Sequence, residues 1–270
     1  MATTTTPEES TGRSLPIWGF LVIVVVYLAI IQGVGLGVQS WADLTDDKML
    51  SVRDVLTSMW VPLGLALGFT YGVVTALGWW RPVLRDDRPV QRWLWFLPVL
   101  FIAAILVTTS YSNLADRGLG FTIALLIACQ FVGWGEEGMF RGLGVVTLRR
   151  HQLTEGQVAL WSSVIFGAVH LTNVIGRGIS ALPQAIIVSL AGYFFYLIRR
   201  VSRGNVLNSV LHGLFDFSIL SATAIELDPE GSVATLAAVL VYVIAGIVLL
   251  VRRHHIELPA GAATEAPRAT

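Results

Sequence analysis

The chain of 270 residues is long enough for one or two soluble domains, but 54% hydrophobic against 13% charged residues and a mean hydropathy of +0.70 leave too little polar surface to clothe a water-soluble globule of that size. Eighteen basic residues balance eighteen acidic ones, which removes nucleic acid as a partner, because neutralising phosphates calls for a basic excess. The single cysteine, Cys129, excludes an intrachain disulfide framework and a cysteine-based zinc site.

A membrane-spanning helix needs about 20 predominantly apolar residues. Windows free of Asp, Glu, Lys and Arg run over 14–42, 55–80, 93–115, 118–135, 156–176, 178–198, 204–225 and 231–251. They predict an all-α, polytopic membrane helix bundle of about eight transmembrane helices. Only Arg177 separates the fifth window from the sixth, so a re-entrant pair is the alternative there. No window alternates with period two, which argues against a barrel. The first apolar stretch, Leu15 to Val38, outruns the roughly 7–15 residues of a signal-peptide core, so it reads as a retained helix. The expected organisation is a disordered tail at 1–13, three helices over 14–117, a four-helix core over 118–225, a last helix within 226–253 and a second tail over 254–270.

Lys and Arg in short loops mark the cytoplasmic side. With the N-terminus inside, thirteen basic residues fall on inner segments (Arg13; Arg81, Arg85, Arg88, Arg92; Arg149, Arg150; Arg199, Arg200, Arg203; Arg252, Arg253, Arg268) and four on outer ones (Lys48, Arg53, Arg117, Arg177). This bias predicts a multi-pass protein of the plasma membrane with both termini cytoplasmic.

An ionisable side chain in hydrocarbon costs about 2.5–3.5 kcal/mol on insertion scales, so those present at membrane depth ask for a functional reason. They cluster: Glu136, Glu137 and Arg141 after the fourth window, His170 in the fifth, His212 and Asp216 in the seventh. Glu137 and Arg141, at i and i+4 with the acid first, suit an ion pair. Glu136 is turned about 100° from Glu137 on an α-helix, so it is the acid left to face a polar cavity. Ser163, Phe166, His170 and Asn173 share one helical face, and Asn205, Asn208, His212 and Asp216 form a polar stripe on another. Both faces must point into the bundle. Any single member of these sets could be interhelical glue, and Asn173 and Asn208 alone read as structural. Three separate groups of costly residues are harder to assign to packing.

A buried Glu beside a neutral His can take a proton from water, and a second His can bind a developing oxyanion. Together they describe a hydrolytic site. A zinc ion on His170, His212 and Glu136, with water as fourth ligand, is a second way to use the same residues. The chain has no His-Glu-x-x-His and no Gly-x-Ser-x-Gly, and Cys129 has no base at fixed spacing.

The run Glu136-Glu137-x-x-x-Arg141, then Phe166-x-x-x-His170, then His212-x-x-x-Asp216 resembles the three-motif signature of the CAAX protease and bacteriocin-processing family of intramembrane endopeptidases. The resemblance covers about residues 118 to 222. It implies that Glu136 and His170 activate the attacking water, that Glu137 and Arg141 support them, and that His212 with Asp216 completes the site. Asp216 stands where the eukaryotic prenyl-protein endopeptidases carry Asn. An ionised Asp cannot donate to an oxyanion, so it is protonated, or accepts the ring N–H of His212, or helps hold a metal. The function implied is hydrolysis of membrane-associated protein or peptide substrates, in a cavity opening toward the arginine-rich, cytoplasmic side. Both a zinc-dependent and a metal-free, glutamate-dependent mechanism are compatible with the motif. A non-catalytic immunity or scaffold protein of the same family, and a proton-coupled transporter, are the rival classes. The transporter lacks paired broken helices in two symmetric halves.

Overall fold

The computed structural model describes residues 13–42, 51–88, 90–173, 179, 181–223 and 233–257. Of the tails expected at 1–13 and 254–270, residues 1–12 and 258–270 lie outside the described residues, as do Lys48, Arg177 and the side chain of Asn173. In chain order the elements are α1 (Ile17–Ala42), α2 (Val52–Leu77, with a π-helical stretch at Leu56–Trp60), α3 (Trp80–Leu84) and α4 (Phe96–Thr108, entered through a 3-10 turn at Arg92–Trp95). There follow α5 (Tyr111–Glu136), a π-helix (Glu137–Gly144), α6 (Val145–Arg150), α7 (Glu155–Val169) and a 3-10 turn (His170–Asn173). The chain then forms α8 (Ala181–Val201), α9 (Val206–Thr223), α10 (Val233–Val251) and a 3-10 turn (Arg253–His255). Among the described residues only two isolated bridges, Arg85 with Gly204 and Val90 with Glu257, are not helical or loop.

The protein is an all-α membrane helix bundle. Among the described residues Ile17–Val38, Val52–Leu77, Tyr111–Arg150 and Leu182–Val201 are each long and apolar enough to cross a bilayer, and Arg92–Thr108, Val206–Ala222 and Leu240–Val251 are shorter apolar helices. Val25, Leu65, Val99, Ile123 and Ile244 point outward with Trp18, Trp41, Trp93 and Trp95, the surface that a chain clothed by lipid tails and headgroups requires.

Two helix boundaries differ from the apolar windows. The third helix stops at Thr108 rather than near 115, because the hydroxyls of Thr108 and Thr109 donate back to Ala104 and Ile105 and Thr109 turns extended. Thr108 also bonds Ser218 of α9 at 2.8 Å. The chain restarts through Gly118, whose φ of 80° suits glycine. The fourth helix, expected to end at 135, continues through the glutamates to Arg150. Pairing of the acids inside the bundle lets the apolar run resume after them.

The helices α5 and α9 cross closely. A Cβ on Gly133 would collide with the backbone of Ser209 and Gly213, and one on Gly213 would lie 2.8 Å from the carbonyl oxygen of Cys129. Glycine at both positions therefore sets the distance between the two helices that carry the acids and His212.

Three of the arginines expected as loop charges, Arg149, Arg199 and Arg200, are buried in one network. Arg199 is fully buried; its Nε and Arg149 Nη1 each lie 2.9 Å from Asp86 Oδ2. Arg199 also donates to the carbonyls of Pro82, Val83 and Arg85. Arg149 binds Glu155 through two nitrogens, at 2.9 and 2.8 Å, and Arg200 binds Glu257 at 2.6 and 2.9 Å. Burial pushes the Asp86 carboxyl up, but Arg199, Arg149 and the Arg88 backbone N–H outweigh it and hold the group below its ordinary range. This network ties the loop after α3 to α6, α7, α8 and the segment after α10, and defines the arginine-rich end of the bundle.

Candidate active site

The site begins where α5 widens into the π-helix Glu137–Gly144, a sequence with three glycines that is buried throughout. A wide turn of this kind commonly marks a functional position, because it frees backbone groups for other partners. Here the carbonyl of Glu137 accepts from Asn205 Nδ2 at 2.8 Å. The Glu137 carboxylate, fully buried, accepts from Arg141 Nη1 at 3.0 Å, from His212 Nδ1 at 2.8 Å and from Asn208 Nδ2. The pair expected at Glu137 and Arg141 forms, although the segment is wound as a π-helix and not as the α-helix that the wheel assumed. Arg141 is itself fully buried, its guanidinium 4.0 Å above the ring of Phe166, a stacking that suits a weakly hydrated planar cation.

His212 is held on three sides. Its ring stacks on Phe195 at 4.4 Å between centroids and meets Phe166 edge-on at 6.0 Å. Because a carboxylate only accepts, Nδ1 carries the proton that it shares with Glu137. Nε2 then faces Glu136 Oε2 at 3.7 Å and Asp216 Oδ2 at 3.6 Å. Asp216 therefore does not orient the ring through Nδ1; Glu137 does. Asp216, a candidate for that task by sequence, lies one turn along on the same helix, whereas Glu137 comes from the π-helix that follows α5.

His170 sits where α7 tightens into a 3-10 turn. Its backbone N–H reaches Gly167 and Ala168, which releases the carbonyl of Phe166, and Nδ1 of the same histidine occupies that carbonyl at 2.8 Å. The neutral tautomer thereby leaves Nε2 with a lone pair. The ring packs edge-on against Phe166 at 5.0 Å, so both histidines border one phenylalanine.

Glu136, Glu137, Arg141, His212 and Asp216 thus converge, and His170 joins them through Phe166. Ser163 does not: its hydroxyl donates to Ala159 at 2.7 Å. Cys129 is buried. Among the described residues no group of three or more His, Cys, Asp or Glu side chains is arranged to hold a metal ion. The bond from His212 Nδ1 to Glu137 leaves Nε2 as the one nitrogen of that ring that could face a ligand.

Accessibility is one-sided. Glu137, Asn205 and Asn208 are 0% exposed, whereas the side chains of Glu136 and Asp216 keep 16% and 29%. Along α9 the buried residues come first from the arginine-rich end, and Asp216 follows eleven residues after Asn205. Toward the arginine-rich end lie Asn205 and Asn208, buried and bonded to the carbonyl and the carboxylate of Glu137. Asn205 and Asn208 were visible as a polar stripe, but their partner was not. Phe195 carried no signal that separates it from Phe194.

Acids, histidines and a buried arginine thus meet at one point inside a membrane helix bundle. Residues 118–218 match the family described as Type II CAAX prenyl endopeptidase Rce1-like. This segment, a little more than a third of the chain, holds all three motifs and is similar to that family. No curated protein and no solved structure matches the chain.

Proposed function

We propose that the protein is an intramembrane endopeptidase that hydrolyses membrane-associated proteins or peptides with a glutamate-activated water and without a metal. Glu136 takes a proton from water while Nε2 of His170 accepts a hydrogen bond from it, and the hydroxide attacks the peptide carbonyl carbon. His212 Nε2 receives the resulting oxyanion, a role that requires both ring nitrogens to carry protons. The carboxylates of Glu136, Glu137 and Asp216 around the ring balance that charge. Glu136 then passes its proton to the leaving amine as the C–N bond breaks.

The carrying observation is the inequality of the two glutamates. Glu137 spends its carboxylate on three donors in full burial, whereas Glu136 is partly accessible beside His212 Nε2. The test is peptidomics of membranes holding wild-type or Glu136→Gln protein, with chelator treatment and metal analysis of the purified enzyme. Peptides that vanish with Glu136→Gln and persist through chelation support the reading. Activity that chelation abolishes and stoichiometric zinc restores would overturn the metal-free step, and equal cleavage by Glu136→Gln the whole assignment.

A further inference from the structure

Outside the catalytic cluster, α10 ends in Arg252-Arg253-His254-His255, and these four exposed residues divide between two grooves on the outer surface. The first, about 910 Å³, is walled by Leu160, Val164, Ile186 and Leu190 of α7 and α8, with Arg253 and His254 at its polar end. The second, about 610 Å³, runs between α10 and the start of α4 along Trp93, Phe96, Ile244 and Val248, with Arg252 and His255 at its head. Each groove thus has apolar walls and takes one arginine and one histidine from the Arg252–His255 run at the arginine-rich end, and Arg200 also lines the first.

We propose that these grooves are two binding sites for phospholipids with anionic headgroups, one on each side of α10. The walls accept acyl chains: Glu155 to Val164 alone spans ten residues, roughly 14 Å of helix. The cationic heads select the charge of the lipid. The two acids lining the first groove are already bound, Glu257 by Arg200 and Glu155 by Arg149, and no acid lines the second. Among the described residues neither Arg252 nor Arg253 makes an ion pair with a carboxylate. Free phosphate has no use for the apolar walls, and a zwitterionic lipid gains less from the arginines, so an anionic phospholipid is the occupant that uses both halves. Occupancy would clamp α10, whose Tyr242 packs among Phe101, Phe194 and Phe215.

The test uses the full-length protein in detergent, titrated with phosphatidylglycerol, phosphatidylcholine or inorganic phosphate, with melting temperature and native mass spectrometry as readouts. Two retained phosphatidylglycerol molecules and a dose-dependent rise in melting temperature are expected. Arg252→Gln and Arg253→Gln should each weaken binding roughly fivefold, remove one retained lipid and leave the melting temperature without lipid unchanged. Lysine at either position should restore binding. An equal rise with phosphatidylcholine or phosphate, or a double Gln variant that keeps both lipids, would overturn the proposal.

Discussion

Replacing Glu137 by Gln should damage the fold more than the chemistry, and replacing Glu136 by Gln the reverse. The Glu137 carboxylate accepts from Arg141, His212 and Asn208 within a fully buried pocket. Glutamine keeps one acceptor oxygen and turns an NH2 toward at least one of those donors, while the charge of Arg141 stays buried and uncompensated. Breaking a buried pair from one side costs about 3–5 kcal/mol. At about 2–4 °C per kcal/mol for a chain of this order of size, the melting temperature should fall by roughly 6–20 °C. Among the described residues the Glu136 carboxylate pairs with His212 Nε2 alone, at 3.7 Å and beyond hydrogen-bond reach, so Glu136→Gln breaks no hydrogen bond there and should leave the melting temperature close to that of wild type. The assay is thermal unfolding followed by size-exclusion chromatography, paired with substrate cleavage on the folded fraction. A stable, inactive Glu137→Gln beside an unstable Glu136→Gln would refute the reasoning, since it would exchange the roles of the two acids.

Gly133→Ala should prevent accumulation of folded protein, because its Cβ meets backbone of α9 and not a side chain that can move; yield of monodisperse protein is the measurement. Tyr242→Phe should leave the melting temperature unchanged or raise it by the equivalent of about 1 kcal/mol, since its buried hydroxyl has no partner among the described residues. Asp86→Asn should destabilise the arginine-rich end at neutral pH. The folded Asp86 carboxyl titrates below its unfolded value near 3.9, so its stabilisation is complete above that pH and is lost as pH falls through the folded value. The melting-temperature gap between wild type and Asp86→Asn should therefore close below about pH 4.

The helices were legible because apolar length dominates a membrane chain, and the site residues because charge at membrane depth is costly. The ending of α4 was hidden, since an uncharged run such as Thr108-Thr109-Ser110 looks as apolar by charge counting as the helix before it. The passage of one helix through Glu136 and Glu137 was hidden too, because a charge reads as a boundary until its partner is known. Arg141 was a visible partner at i+4; Asn208 and His212, some seventy residues later, were not. The buried state of Arg149, Arg199 and Arg200 could not be read at all: the same residues that mark a cytoplasmic loop by composition are, in three dimensions, cross-links around Asp86 and two glutamates.

Consecutive acids on one helix would ordinarily serve different neighbours. Here Glu137 and Glu136 address the two nitrogens of a single imidazole, one at hydrogen-bond distance on Nδ1 and the other at 3.7 Å on Nε2. Asp216, one turn further along the helix of His212, approaches the same Nε2 at 3.6 Å. Both separations exceed hydrogen-bond reach, so Nε2 is committed to neither acid. The closed half of the site thus fixes the ring, through Glu137 and the stack on Phe195, and the accessible half leaves its second nitrogen available to a substrate oxygen. Rigid orientation on one edge and availability on the other support the oxyanion-binding role proposed for this imidazole, in which two adjacent glutamates serve where one charge would satisfy Arg141.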